Sequence, residues 1–263
     1  MLSDANTAIT VDEVSKRYQL RAGRGQELKA TLLSLPSSIF RRKSPATKDF
    51  WALQDISFTL QRGECLGITG PNGSGKSTLL RIIASITQPT SGRVVTNGRV
   101  SALLELGAGF HPQMSGRDNA LLNAVLLGLS LDDAREALPS IFEFAELGEF
   151  IEQPMRTYSS GMLIRLGFAV AVHVQPEILL VDEVLAVGDA QFQRKCFDHI
   201  RRLREDGVTI IMASHDLPAI QKYTDRAMLL EHGRIVLEGK PAQVLHEYLT
   251  RVFGKEEVAE VSQ

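Results

Sequence analysis

Residues 70–78, GPNGSGKST, hold three glycines, a lysine and three hydroxyl side chains in nine positions. The glycines, Gly70, Gly73 and Gly75, let a backbone curl closely around an anion. Pro71, Asn72 and Ser74 fill the curl between them. Lys76 adds a point charge suited to β and γ phosphates, and Ser77, followed by Thr78, adds a hydroxyl suited to Mg²⁺. The pattern is G-x-x-x-x-G-K-[ST], and it needs a strand before it and a helix after it, so that successive N–H groups and the helix N-terminus face the phosphates. The apolar run CLGIT and the helical pattern from Lys76 to about Ser85 meet that need.

Two further stretches end apolar runs with polar residues. ILLVDE closes with Asp182 and Glu183, and TIIMASHD closes with His215. Both runs read as buried parallel strands, and ligands of open α/β sheets collect at the carboxyl ends of such strands. Asp182 is then a Mg²⁺ partner, Glu183 a general base for an attacking water, and His215 a hydrogen-bond donor that holds the water and Glu183 in register. The other five histidines read as surface or packing residues.

A third stretch, TYSSGMLIRLGFAVAV, starts with Ser159, Ser160 and Gly161 and runs straight into a helix-length apolar segment. Read alone it is an N-cap. Read beside the phosphate loop, it is a bare helix start offering hydroxyls and N–H groups to an anion arriving from outside.

These residues need a scaffold. Strand and helix patterns alternate from residue 52 onward, with a helical lobe between, which implies an α/β sheet interrupted by helices. SGRVVTNGRVSALL reads as a hairpin, as does RAMLLEHGRIVLEG with its turn at His232 and Gly233; PAQVLHEYLTRVF reads as a closing helix. Residues 21–48 carry seven Lys/Arg against the single acid Glu27, with Leu28, Leu32, Leu35 and Ile39 at helical spacing. That segment reads as a solvated insertion, or as a basic amphipathic piece against a membrane partner or headgroups.

Composition narrows the function classes. The 263 residues are 44% hydrophobic and 23% charged with a net charge of -2, which fits a folded globular chain and leaves no basic footprint for nucleic acid. Cys65 and Cys196 lie in apolar segments and suit a reducing compartment. No apolar run reaches the ~18 residues of a membrane helix, and MLSDANTAIT lacks a signal-peptide pattern. The expected location is the cytoplasmic side, with any membrane association peripheral.

In their order, the phosphate loop, YSSGM, ILLVDE and SHD resemble the nucleotide-binding subunits of ABC transporters. The resemblance implies an α/β, P-loop (RecA-like) ABC nucleotide-binding domain over residues 1–263, with an antiparallel β subdomain, an inserted α-helical subdomain over about 106–172, the basic insertion 21–48 and a C-terminal helix, 241–263. It implies ATP and Mg²⁺ as ligands, and a homodimer closing head to tail so that Ser159, Ser160 and Gly161 reach the ATP of the other subunit. AVGD, with Asp189, stands where that family has its D-loop. Tyr18 stands where an aromatic stacks on adenine, with Trp51 as the alternative. Glu105 stands where the family usually has a glutamine, and is a further candidate for Mg²⁺.

SALLELGAGFHPQMSGRDN, DEVLAVGD and FQRKC are similar in wording to the ATPases that export O-antigen, capsule and teichoic acid. That likeness covers nearly the whole chain. It implies a membrane permease partner and a lipid-linked surface polysaccharide as cargo. The alternatives are an ABC ATPase for another substrate and a soluble ABC-type ATPase acting on nucleic acid. The second usually shows paired cassettes, a long coiled coil or a basic face, none of which is visible here.

Overall fold

A computed structural model describes residues 6–21, 47–104, 106–107, 109–182 and 189–253. The expectations placed on Glu105, on Glu183, on the basic insertion beyond Arg21 and before Thr47, and on the tail after Phe253 lie outside these residues.

The described chain forms two sheets. The first is antiparallel, ordered β2 (Thr47–Gln61), β1 (Thr7–Arg21), β4 (Ser91–Thr96). The second has six strands in the order β5 (Val100–Leu103), β6 (Ile178–Val181), β7 (Thr209–Ala213), β3 (Cys65–Thr69), β8 (Arg226–Glu231), β9 (Arg234–Gly239). Its first five strands run parallel, and β9 turns back antiparallel along β8.

The parallel strands are apolar at consecutive positions because both of their faces are covered. Alternate side chains enter two different cores. Ile178, Leu180, Ile211, Leu66, Ile68 and Met228 pack with the antiparallel sheet and with Leu79, Leu80, Ile82 and Ile83 of helix α1 (Lys76–Ile83). Each of those four α1 side chains contributes about 1.5–3 kcal/mol of burial. Leu179, Val181, Ile210 and Met212 face the other core, against α4 (Ser160–His173) and α5 (Ala190–Glu205).

The helical lobe is α2 (Gly116–Leu126), α3 (Leu131–Ala145), two short 3₁₀ turns (Gly148–Glu152 and Met155–Thr157), and α4. Its helices start at short-range caps: Ser115 accepts from the Asp118 amide and Ser130 from the Asp133 amide, both at 3.1 Å. The remaining helices are α6 (Leu217–Tyr223), capped by Asp216, and α7 (Pro241–Phe253).

One expected hairpin does not exist. β4 pairs with β1 and β5 with β6, so SGRVVTNGRVSALL passes from one sheet to the other at Asn97 and Gly98. Asn-Gly favours a two-residue turn locally. Here the turn is claimed by tertiary partners: the Asn97 amide donates to the Ala8 carbonyl (2.8 Å) and the Arg99 amide to Glu177 Oε1 (3.0 Å). The second hairpin, at His232 and Gly233, forms as expected.

Candidate nucleotide site

The strand ends are in register. Val181 lies opposite Met212, and Ala213 opposite Ile68, so the chain leaves β3, β6 and β7 at one edge of the sheet. The phosphate loop follows β3, Asp182 follows β6, and His215 stands two residues past β7. Asp182 and His215 line one cleft of about 390 Å³ with Ser214 and Gln193.

The phosphate loop is prepared for an anion. Lys76 is buried, 6% exposed, and its Nζ donates to the carbonyls of Gly70 (2.8 Å) and Pro71 (3.2 Å). The ammonium therefore sits inside the curl rather than in solvent. Ser74 Oγ is buried beneath the loop with no hydrogen-bond partner among the described residues. No side chain caps α1, so its first N–H groups face the loop. Ser77 is exposed on the first turn of α1.

Tyr18 and Trp51 occupy different faces of the antiparallel sheet. Tyr18 lies opposite Phe50 and Arg17 opposite Trp51, and neighbouring residues of a strand point to opposite sides. A bulge at Ala52 separates these pairs from the next one, Lys16 with the buried Leu53 beside the phosphate loop; both aromatics are partly exposed, at 38% and 42%. Lys16 Nζ lies 5.2 Å from the Tyr18 ring centre, and the Arg17 guanidinium 5.6 Å from that of Trp51.

The start of α4 is not bare. Ser159 caps it, accepting from the Met162 amide at 3.3 Å, and Ser160 and Gly161 occupy the first turn. The reading of an uncapped helix end is corrected: a short hydroxyl side chain with the helix directly behind it closes on its own N–H groups unless a better acceptor displaces it. Ser159 and Gly161 line a cavity of about 410 Å³ with Glu146, Phe150, Arg165 and Asp189, and no phosphate-loop residue lines it.

The same cavity explains Asp189. Its carboxylate caps α5 through the Phe192 amide (2.9 Å) and pairs with Arg165 of α4. The amide, then Arg165, hold it below the usual carboxylate range. Arg165 also approaches Glu146 at 3.8 Å and stacks its guanidinium on Phe192, 4.9 Å from the ring centre. Sequence reading missed Arg165, although its place two turns into the apolar helix, on a face otherwise uncharged, was a signal.

Tyr158 anchors this start from below, donating from its hydroxyl to the Phe150 carbonyl at 2.6 Å while 8% exposed. Tyr158→Phe removes a bond worth about 1 kcal/mol. The melting temperature is expected to drop by roughly 2–4 °C; an unchanged melt would mean the Phe150 carbonyl finds another donor.

Of the histidines outside the site, His111, His232 and His246 are exposed, while His173 and His199 are part of the packing and form a cluster. His173 and His199 have ring centres 5.0 Å apart, with the Phe144 edge on both. His173 Nδ1 donates to the Ala169 carbonyl at 2.7 Å, and His199 Nε2 is buried with no partner among the described residues. Burial pushes both imidazoles below their ordinary 6.5, helped by each other's charge at His199 and by Lys195 at His173. The unfolded chain therefore takes up protons first. The cluster's full contribution to stability is present above pH 6.5 and is lost as pH falls below it toward the folded values. Melts from pH 7.5 to 5 are expected to decline, and His199→Gln to flatten the decline; parallel curves would show that other groups dominate.

Cys65 and Cys196 are buried free thiols, each pushed by burial to about 12. Both are inert packing groups.

Comparison with known proteins follows the same outline. The sequence model described as ABC transporter matches residues 53–186. The ABC transporter protein AbcA of Aeromonas salmonicida is 47% identical over 201 residues, 76% of this chain. The O-antigen export system ATP-binding protein RfbB of Klebsiella pneumoniae is 43% identical over 240 residues, 91% of this chain. The chain covers 65% of the Aeromonas protein's own length and 96% of the Klebsiella protein's. Among solved structures, a dimeric ATP-binding cassette in a post-hydrolysis state with ADP and Pi superposes with a TM-score of 0.69 at 22% identity, covering 89% of this chain and 98% of that one. That likeness shows the fold.

Proposed function

The chain belongs to the ABC transporter family, and from that premise we propose that it is the ATP-hydrolysing subunit of an exporter of a lipid-linked, O-antigen-like surface polysaccharide. The observation that carries the ATPase reading is the phosphate loop: a buried lysine on a glycine-rich curl before a helix that starts at Gly75 with no side-chain cap. The cargo rests on the Klebsiella relative, whose name states O-antigen export.

In this reading Gly70, Pro71, Asn72, Gly73, Ser74, Gly75, Lys76, Ser77 and Thr78 hold the triphosphate of ATP. Tyr18, with Trp51 as the alternative, stacks on adenine; the two lie on opposite faces beside the bulge at Ala52, next to Leu53, which packs on the loop. Ser77 and Asp182, with Glu105, would hold Mg²⁺, and when bound the ion would draw off charge from the β and γ oxygens. Glu183 takes the proton from the attacking water, and His215, across the cleft from Asp182, orients it. Ser159, Ser160 and Gly161 complete the site of a second copy, with Asp189 and Arg165 fixing that edge. In a homodimer each ATP is thus buried between two chains.

Among the described residues no helix is long and apolar enough to cross a membrane. On the likeness to the Klebsiella export subunit, the proposed partner is a separate permease and the proposed place is the cytoplasmic face of the membrane. The test is made in the source cell by replacing Lys76 with alanine. Loss of surface polymer with accumulation of lipid-linked chains inside is expected; unchanged surface glycans with the variant protein present would direct the search to another cargo.

A further inference from the structure

The turn between β8 and β9 has two residues, His232 and Gly233, with φ of 46° and 76°, and Glu231 pairs with Arg234 across it. Two positive φ values in a two-residue loop define a type I′ turn. It lies far from the phosphate loop in sequence, yet the Gly233 N–H donates to the Ser74 carbonyl at 2.9 Å.

The turn is itself held in place. The Gly233 carbonyl accepts from the Gln54 amide at 2.8 Å, Gln54 Nε2 reaches the His232 carbonyl at 3.3 Å, and Arg234 bridges to Gln54 Oε1 (3.0 Å) and Asp55 (3.3 Å). A Cβ at Gly233 would lie 2.6 Å from the Ala52 oxygen and 3.0 Å from Leu53 Cα. The same Ala52 oxygen would lie 2.6 Å from a Cβ at Gly75. Backbone of β2 is thus wedged between the turn and the phosphate loop, with contact on both sides.

The bond to Ser74 has a geometric consequence. The Ser74 carbonyl and the Gly75 N–H belong to one rigid peptide plane and point in opposite directions. Fixing the carbonyl fixes the direction of the N–H, one of the loop donors available to a phosphate. We infer that the His232–Gly233 turn is a buttress that sets the curvature of the phosphate loop, making Gly233 a positioning residue for nucleotide binding. This inference rests on the reading that the loop binds ATP.

The test is Gly233→Ala in the full chain, with wild type and Lys76→Ala beside it, by calorimetric titration of ATP with Mg²⁺ well below the melting temperature and with folding checked by circular dichroism. Wild type binding ATP and Gly233→Ala folding but binding on the order of tenfold to a hundredfold more weakly is the expected result, since displacements near 1 Å cost that much at positioned groups. In hydrolysis assays KM is expected to rise with kcat nearly kept; a general loss of structure would instead lower kcat together with the melting temperature. A folded Gly233→Ala chain with wild-type affinity overturns the inference and leaves the ATPase reading intact. Wild type failing to bind ATP overturns both. Should Gly233→Ala not fold, hydrogen exchange on wild type decides: ATP is expected to slow exchange of the Gly233 amide, and unchanged exchange at saturating ATP overturns the buttress.

Discussion

Lys76→Ala is expected to remove measurable ATP binding at concentrations that saturate the wild-type chain. Lys76 is 6% exposed, and its ammonium is directed into the curl by the Gly70 and Pro71 carbonyls, so it meets phosphate oxygens without a large rearrangement. Truncating one partner of a buried, hydrogen-bonded charge pair costs about 2–5 kcal/mol, roughly 30-fold to several thousandfold in affinity. The alanine methyl still packs at the start of α1, so the nucleotide-free fold should persist. A thermal melt with and without ATP and Mg²⁺ separates the two effects: the variant keeps its own transition and loses the upward shift that a bound ligand gives. Near-normal ATP affinity in this variant would sink the assignment of the loop.

Glu183→Gln is expected to do the opposite, keeping ATP and losing turnover. In the sequence Glu183 follows Asp182, the first residue past β6, and it is the proposed general base. Amide in place of carboxylate keeps shape and removes basicity. A positioned base contributes about 10²- to 10⁴-fold to rate, so hydrolysis should fall by that factor with ATP affinity retained. If Ser159 and Gly161 serve the ATP of a second copy, the trapped state is a dimer. Light scattering after gel filtration in ATP should then show twice the monomer mass, and the species should revert when ATP is removed. Persistent monomer at saturating ATP, even with the permease present, would count against closure; hydrolysis at the wild-type rate would remove Glu183 from the mechanism.

The two variants also separate the halves of the site. Lys76→Ala is expected to keep the dimer from forming in ATP, and Glu183→Gln to preserve it.

Much of this was legible because the relevant signals are local. GPNGSGKST carries its own backbone requirement, and the apolar runs ILLV and TIIMA must be covered on both faces, which makes them central parallel strands and puts Asp182 and His215 at their ends. The helix starts at Ser115, Ser130 and Asp189 follow from short-range hydrogen bonds to the next turn. The helical period that puts Phe192, Cys196 and Ile200 on the buried face of α5 is local in the same sense.

Failures came where a local preference met a distant partner. Asn97-Gly98 has the chemistry of a hairpin, but the open edges of β1 and β6 took β4 and β5 into different sheets. Ser159 was read as waiting for an anion, yet in the single chain its nearest donor is its own helix.

By itself, the sequence determined that this chain has a phosphate loop between a buried strand and a helix, carboxylate and imidazole at neighbouring strand ends, and an α/β core, because each of these is set by residue type over a few positions. Only the tertiary structure decided that Tyr18 and Trp51 point to opposite faces of the antiparallel sheet, that Arg165 fastens Asp189 to α4, and that Gly233 holds the Ser74 carbonyl. Those facts depend on strand register and on contacts between residues 24 to 159 positions apart, and no local propensity encodes which distant backbone a given side chain will meet.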